Sequence, residues 1–242
     1  MKIHFIEHES YEGPGYFTEW ANLNHYQVSF TRVYLNEPLV YEDETFDVLV
    51  ILGGPQNPNT SQEECPYFDS RGEQAFIKQA IANNKAVIGV CLGAQLIGEA
   101  LGATYQASPD QEIGYFPITL TEHGHIDSKL AEFDLAEVVG HWHNDMPGLT
   151  SDSVVLAASK GCPRQIVRYS TLVYGFQCHL EFISEQLVPL IEHDQQAFNT
   201  DSRGKYIQDP NSILKHSTIR MNQLLDGFLD ELVQDYGDCL DM

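Results

Sequence analysis

Apolar and polar positions along the 242 residues fall into short runs that alternate in type. β-Rich stretches occur at residues 2–7 (KIHFIE), 26–34 (YQVSFTRVY), 46–52 (FDVLVIL) and 85–90 (KAVIGV). Two of these are almost continuously apolar, as expected of strands covered on both faces in a parallel sheet. A helical pattern over 68–83 carries Phe68, Ala75, Phe76, Gln79 and Ala80 near helical spacing, and a second fills 93–101. Strand and helix alternating in this way predict βαβ units. Between 104 and 177 the pattern shifts to shorter strands (YFPITL, EVVGHW, VVLAAS, QIVRYS, LVYGFQ), read as an antiparallel extension of a mostly parallel sheet.

Residues 53–66 and 199–212 read as polar loops. Leu214, Met221, Leu225, Phe228 and Leu232 then share one helical stripe, which predicts a terminal helix docked on the rest of the chain. No repeat, low-complexity tract or linker interrupts this pattern. The expectation is one domain over 1–242, with a core over about 1–195 and a helical extension over about 212–236.

Charge narrows the function. Thirteen basic against 35 acidic side chains give −22, which repels phosphate backbones and anionic lipid, so neither nucleic acid nor membrane is expected as a partner. The first ten residues lack the features of a signal peptide, and no apolar run reaches membrane-spanning length. Five scattered cysteines with no C-x-x-C pair fit neither a disulfide framework nor a zinc site, and point to a reducing, cytoplasmic setting.

One of those cysteines carries the candidate chemistry. The strand AVIGV runs into Cys91 and the helix GAQLIGEAL follows at once, so residues 89–93 read G-x-C-x-G in strand–turn–helix context. This is the nucleophile-elbow pattern with sulfur in place of oxygen. Small residues two positions to either side are required because the sharp turn brings them together. Taken alone, the motif leaves a buried structural thiol as open as a nucleophile. His179 and Glu181, two apart on an extended segment, point the same way, so the carboxylate can fix the imidazole tautomer while the other ring nitrogen faces sulfur. ILGGPQNP, at the end of an apolar strand, offers a glycine amide for an oxyanion beside the amide of Leu92.

Together these segments, with EIGYFPI, HWHND and CPRQIVRY, resemble the class I (triad) glutamine amidotransferases, in particular stand-alone relatives similar to the glutaminase domain of GMP synthetase. The resemblance runs from about Val48 to about Glu185. It implies a flavodoxin-like three-layer α/β sandwich with the elbow after a central strand. It implies Cys91 as nucleophile, His179 as base and then acid, and Glu181 as orienter. Gly54 and Leu92 would supply oxyanion amides. Gly53, Gln95 and the segment Trp142, His143, Asn144 and Asp145 would hold the substrate. No cofactor is implied. The string Cys178-His179-Leu180-Glu181 departs from the family's usual H-P-E, which should loosen that loop, and Cys178 should pack away from the site.

His141 and His143 could also be two metal ligands on one strand face, but no third ligand lies at a recognisable spacing, so no metal is expected. The activity implied is hydrolysis of the glutamine side-chain amide through a γ-glutamyl thioester, releasing ammonia. Fewer than sixty residues follow Glu185, too few for a synthetase, so a separate ammonia-accepting subunit is the partner this reading calls for. Hydrolysis of γ-glutamyl peptides is the close alternative, and a non-catalytic regulatory or binding subunit the second.

Overall fold

The computed structural model describes residues 1–39, 46–198 and 204–240. Among them, ten strands form one sheet: β1 (Lys2–Glu7), β2 (Gln27–Arg32), β3 (Val48–Ile51), β4 (Ala86–Val90), β5 (Gln106–Leu120), β6 (Ala136–Met146), β7 (Val154–Ala158), β8 (Ile166–Ser170), β9 (Val173–Phe176) and β10 (Tyr206–Ile207). The order β2-β1-β3-β4-β9 is parallel throughout. Beyond β9, strands β8, β7 and β5 continue it antiparallel, and β6 and β10 both pair with β5. A mostly parallel sheet with an antiparallel extension is therefore what forms.

Side-chain alternation sorts the parallel strands into two cores. Ile3, Phe5, Val48, Val50, Ala86 and Ile88 face one side, where Phe17 and Trp20 of helix α1 (Tyr16–Leu23) and the long terminal helix α7 (Ile219–Leu240) cover them. Ile6, Leu49, Ile51 and Val87 face the other, against α2 (Ser70–Ala82) and α3 (Leu92–Ala100). The result is three layers. Asp69 caps α2 by accepting the Gly72 amide.

Several boundaries differ from expectation. In α2 the buried stripe is Glu73, Phe76, Ile77 and Ala80, while Ala75 and Gln79 are exposed, because the face toward the sheet is offset by one position. The strand expected at YFPITL begins nine residues earlier, at Gln106; the bulge between Ala107 and Glu112 accommodates Pro109 and the charged residues that conceal it. The apolar pattern does not predict α1 or α5 (Ser184–His193): each is short, and α5 contains Pro189. Residues 199–203 of the second loop lie outside the described residues, and the rest of it forms β10 and the start of α6 (Pro210–Leu214). Leu214 ends α6 at 43% exposure and does not join the α7 stripe, whereas Met221, Leu225, Phe228 and Leu232 are buried. A further short helix, α4 (Glu122–Ile126), caps the end of β5.

Helix α7 docks by ring packing and by polar ties. Phe228 lies edge-on to Tyr174 at 5.0 Å and to Phe176 at 4.8 Å, both on β9, and Trp20 Nε1 donates to Asp230 at 2.8 Å. No helix among the described residues is long and apolar enough to cross a membrane. Replacing Phe228 with Ala is expected to cost about 3–5 kcal/mol, as for a large buried aromatic. Urea unfolding checks this: a loss below about 1 kcal/mol would mean that α7 is not part of the cooperative core.

Candidate active site

Strands β3, β4 and β9 all end at the same edge of the sheet, where ligands bind in open α/β folds. Cys91 follows β4 at φ 51°, ψ −108° as the N-cap of α3. A non-glycine residue there costs about 1–3 kcal/mol and needs its surroundings to hold it. The Cys91 amide donates to Phe176 O at 2.7 Å, and Gly89 and Gly93 make the turn possible. A Cβ on Gly89 would run into the Gly93 carbonyl, and one on Gly93 into the Ile51 carbonyl at the end of β3. Leu92 is the first residue of α3, so its amide has no intrahelical acceptor. Gly54 lies against the Leu92 side chain: a Cβ there would sit 3.1 Å from Leu92 Cδ2. Gly53 faces both candidate catalytic groups, its Cβ position being 3.5 Å from Cys91 Cβ and 3.7 Å from His179 Cε1. Its carbonyl accepts from His8 Nδ1 at 3.0 Å, while His8 Nε2 contacts Glu73 at 2.8 Å, a fully buried pair beneath the turn.

The segment after β9 brings His179 to the thiol. Nδ1–H donates to Glu181 Oε1 at 2.6 Å, with both residues buried. The ring stacks on Phe182 with centroids 4.2 Å apart and planes 11° from parallel. Nε2 carries no hydrogen bond of good geometry, yet Cys91 is close enough to act on the ring. Burial disfavours the imidazolium, but the Glu181 carboxylate and the Cys91 sulfur overcome it and push His179 up to about 10.

Without the family's proline this loop is expected to be loose. It is instead pinned on three sides. His179 and Gly140 exchange backbone hydrogen bonds, the Tyr16 amide donates to Glu181 O, and Asn222 of α7 donates to Leu180 O at 2.7 Å and Phe182 O at 3.1 Å. Cys178 turns away as expected, its thiol donating to Gln165 O at 3.6 Å with its pKa raised by burial.

Cys91 opens onto a pocket of about 690 Å³. Gly54, Gln95, Trp142, Asn144 and Asp145 are among the residues that line it. Gln95 donates to Gln177 at 3.2 Å and leaves its own buried carbonyl oxygen without a partner. The Trp142 carbonyl accepts from Cys91 Sγ at 3.6 Å. Two of the expected substrate residues sit differently. Gly53 lines a small enclosed cavity beside His179 rather than the large pocket. His143 reaches the pocket wall, but its Nε2 is turned inward, 3.4 Å from Glu112. Glu112 thus joins His141 and His143 as the third potential ligand that the spacing of H-W-H alone does not reveal.

Other lining residues are absent from the sequence-based expectation. Tyr11 and Glu12 come from the loop after β1, and Glu192, His193 and Asp194 from the end of α5. Burial pushes the Glu12 carboxyl up to about 7, although the His179 and His8 imidazoles pull the other way. The loop HESYEGPG follows a strand that ends at the same sheet edge as Cys91, and that topology is the signal that could have found them.

The loop and the buried pair can each be tested. Asn222→Ala is expected to lose roughly 1–3 kcal/mol by leaving buried carbonyls unpaired, and to speed amide exchange over residues 178–182. Exchange unchanged there would show that α7 does not hold the loop. For Glu181→Gln the sign comes from the raised pKa of His179. The stabilisation it supplies is complete below the unfolded value near 6.5 and is lost as pH rises through about 10. The variant should therefore be destabilised more at pH 6 than above pH 10; equal losses in urea at both would contradict the pairing.

Comparison with known proteins places this geometry. The sequence profile of the family described as Glutamine amidotransferase class-I matches residues 20–194. The chain is 52% identical over 233 residues to the glutamine amidotransferase-like protein YfeJ of Salmonella typhimurium, covering 96% of this chain and 97% of that one. It is 28% identical to a glutamine-hydrolyzing GMP synthase subunit of Thermoplasma volcanium over 81% of this chain and 86% of the relative. Among solved structures, SMU.1228c superimposes with a TM-score of 0.94 at 45% identity, covering 96% of this chain and all of that one (100%). A glutamine amido transferase from Methylobacillus flagellatus, at 23% identity and a TM-score of 0.86 over 96% of this chain and 94% of that one, shares the fold. The chain belongs to the class-I glutamine amidotransferase family.

Proposed function

We propose that this protein hydrolyses the side-chain amide of glutamine through a γ-glutamyl thioester on Cys91. The observation that carries the reading is a strained cysteine at φ 51° lining a pocket, beside a buried His179 held by Glu181 at 2.6 Å. Family membership supports amide hydrolysis in general. In the proposed sequence His179 takes the Cys91 proton, and the thiolate attacks the γ-carbonyl. The amides of Leu92 and Gly54 stabilise the oxyanion. The imidazolium then protonates the departing nitrogen, the C–N bond breaks and ammonia leaves. Water, deprotonated by His179, cleaves the thioester and releases glutamate. Gln95 and the Trp142–Asp145 segment position the substrate, with the unpartnered Gln95 oxygen available to an ammonium. The GMP synthase relative supports glutamine as substrate and a separate ammonia-accepting synthetase as partner.

A second reading rests on the pocket itself. Its volume exceeds what one glutamine needs, and Glu12, Asp145, Glu192 and Asp194 line it with no Lys or Arg among the described lining residues. A γ-glutamyl peptide or amine carrying its own positive charge would suit that wall, with the same chemistry at Cys91.

One assay separates the readings. Purified protein is given glutamine, then γ-glutamyl dipeptides or amines, and ammonia is followed against released amine. The first reading expects ammonia release at the higher kcat/KM. Cys91→Ala should remain folded by circular dichroism and lose at least roughly 10³-fold in turnover, as when a nucleophile is removed; retained activity would sink the assignment of Cys91.

A further inference from the structure

At the pocket wall lies a polar cluster of which only His143 belongs to the segment proposed to position the substrate. The register of β5 and β6 pairs Glu112 with His143 and Gly114 with His141, so three candidate donors share one side of a two-strand ribbon. Glu112, His141 and His143 are 1%, 0% and 5% exposed, and this is the one group of at least three such side chains with metal-ligating geometry among the described residues. Their atoms form a nearly equilateral triangle. His141 Nδ1 lies 3.4 Å from His143 Nε2, Glu112 Oε2 lies 3.5 Å from His141 Nδ1, and Glu112 Oε2 lies 3.4 Å from His143 Nε2. Donors placed about 2.0–2.1 Å from a tetrahedral zinc ion are separated by about 3.3–3.4 Å. The triangle has the edge length of one tetrahedral face.

Gln165, fully buried ahead of β8, stands over that face. Its amide nitrogen is 2.7 Å from Glu112 Oε2, 3.2 Å from His141 Nδ1, 3.1 Å from His143 Nε2 and 3.0 Å from Ser159 Oγ. Two amide protons cannot serve four neighbours. The amide oxygen, meanwhile, is buried with no partner. Turned over about its last torsion, Gln165 would present that oxygen as a fourth donor. Two of the donors have supporting contacts, while His143 Nδ1 is buried without a partner. His141 Nε2–H donates to Phe116 O at 3.2 Å, which leaves Nδ1 as the bare nitrogen facing the cluster, and the Gly161 amide donates to Glu112 Oε1 at 3.2 Å.

The geometry points to a structural zinc site formed by Glu112, His141, His143 and Gln165, clamping β5, β6 and the segment before β8 behind the substrate pocket. Four protein donors and full burial leave no open coordination position, so the ion would brace the wall that carries the Trp142 carbonyl and take no part in the reaction.

The test uses untagged full-length protein. Inductively coupled plasma mass spectrometry is expected to find about one zinc per chain, retained in Cys91→Ala and reduced at least fivefold in His141→Gln and Glu112→Gln. Retention in Cys91→Ala matters because a thiol beside an imidazole is itself a potential zinc ligand. Chelator-stripped wild type should develop visible absorption bands of tetrahedral Co²⁺ on titration, which decides the matter even if the variants fail to fold. The proposal is overturned if wild type neither retains zinc nor develops those bands. It is equally overturned if the metal stays in His141→Gln or disappears in Cys91→Ala. In the first case the cluster is a hydrogen-bonded network only; in the last the ion belongs to the nucleophile.

Discussion

The site depends on how closely three backbone segments approach one another at the end of the parallel strands. Gly93 lies against the Ile51 carbonyl and Gly89 against the Gly93 carbonyl, with no room for a methyl group at either position. Because the strands meet there, the chain can leave β4, pass through Cys91 at φ 51° and enter α3 without an intervening loop. A looser junction would relax Cys91 into an ordinary conformation and swing its sulfur back toward the core. The strain at Cys91 is sustained by packing on both faces of the sheet, since α2 and α3 press on one side and α1 and α7 on the other.

Electrostatics around that junction follow one rule although the chain carries a net charge of −22. Deeply buried acids are matched with bases: Glu73 with His8, Glu181 with His179, Asp127 with Arg168. An unpaired buried carboxylate would be costly, and removing one partner of such a pair typically costs several kcal/mol. The pairs also transmit position. His8 holds the Gly53 carbonyl and so orients the turn that presents Gly54, and Glu181 holds the ring that meets the thiol. Acidity also collects around the pocket, where Glu12, Asp145, Glu192 and Asp194 are among the lining residues.

The sequence reveals the parts whose signal is local. Gly89, Cys91 and Gly93 sit within five residues and His179 and Glu181 within three, and although each pattern alone is ambiguous, the two together are specific. The α7 stripe is legible for the same reason. Distant pairings are not. Glu112 reaches His143 only through the β5–β6 register, and Asn222 reaches the His179 loop only because α7 packs across β9. The missing proline after His179 illustrates the difference. Local reasoning counts a lost rigid residue, whereas the fold replaces it with hydrogen bonds from Gly140, Tyr16 and Asn222, none of them nearby in sequence.

Strand β6 faces two environments. Side chains alternate along it, so His141 and His143 point into the buried cluster while Trp142 and Asn144 face the other way. Trp142 meets the thiol with its carbonyl and Asp194, beyond α5, with its indole at 3.0 Å. One strand therefore links a fixed interior to the α5 end of the pocket. Cys91, Leu92 and His179 rest on or beside elements buried on both sides, whereas the acidic lining residues Glu12, Glu192 and Asp194 come from the loop after β1 and the end of α5. Those two segments can change without disturbing the strained turn at Cys91. Under the hydrolysis proposed above, discrimination between ammonia and a larger amine as the leaving group would be set there, and bond cleavage at the end of β4.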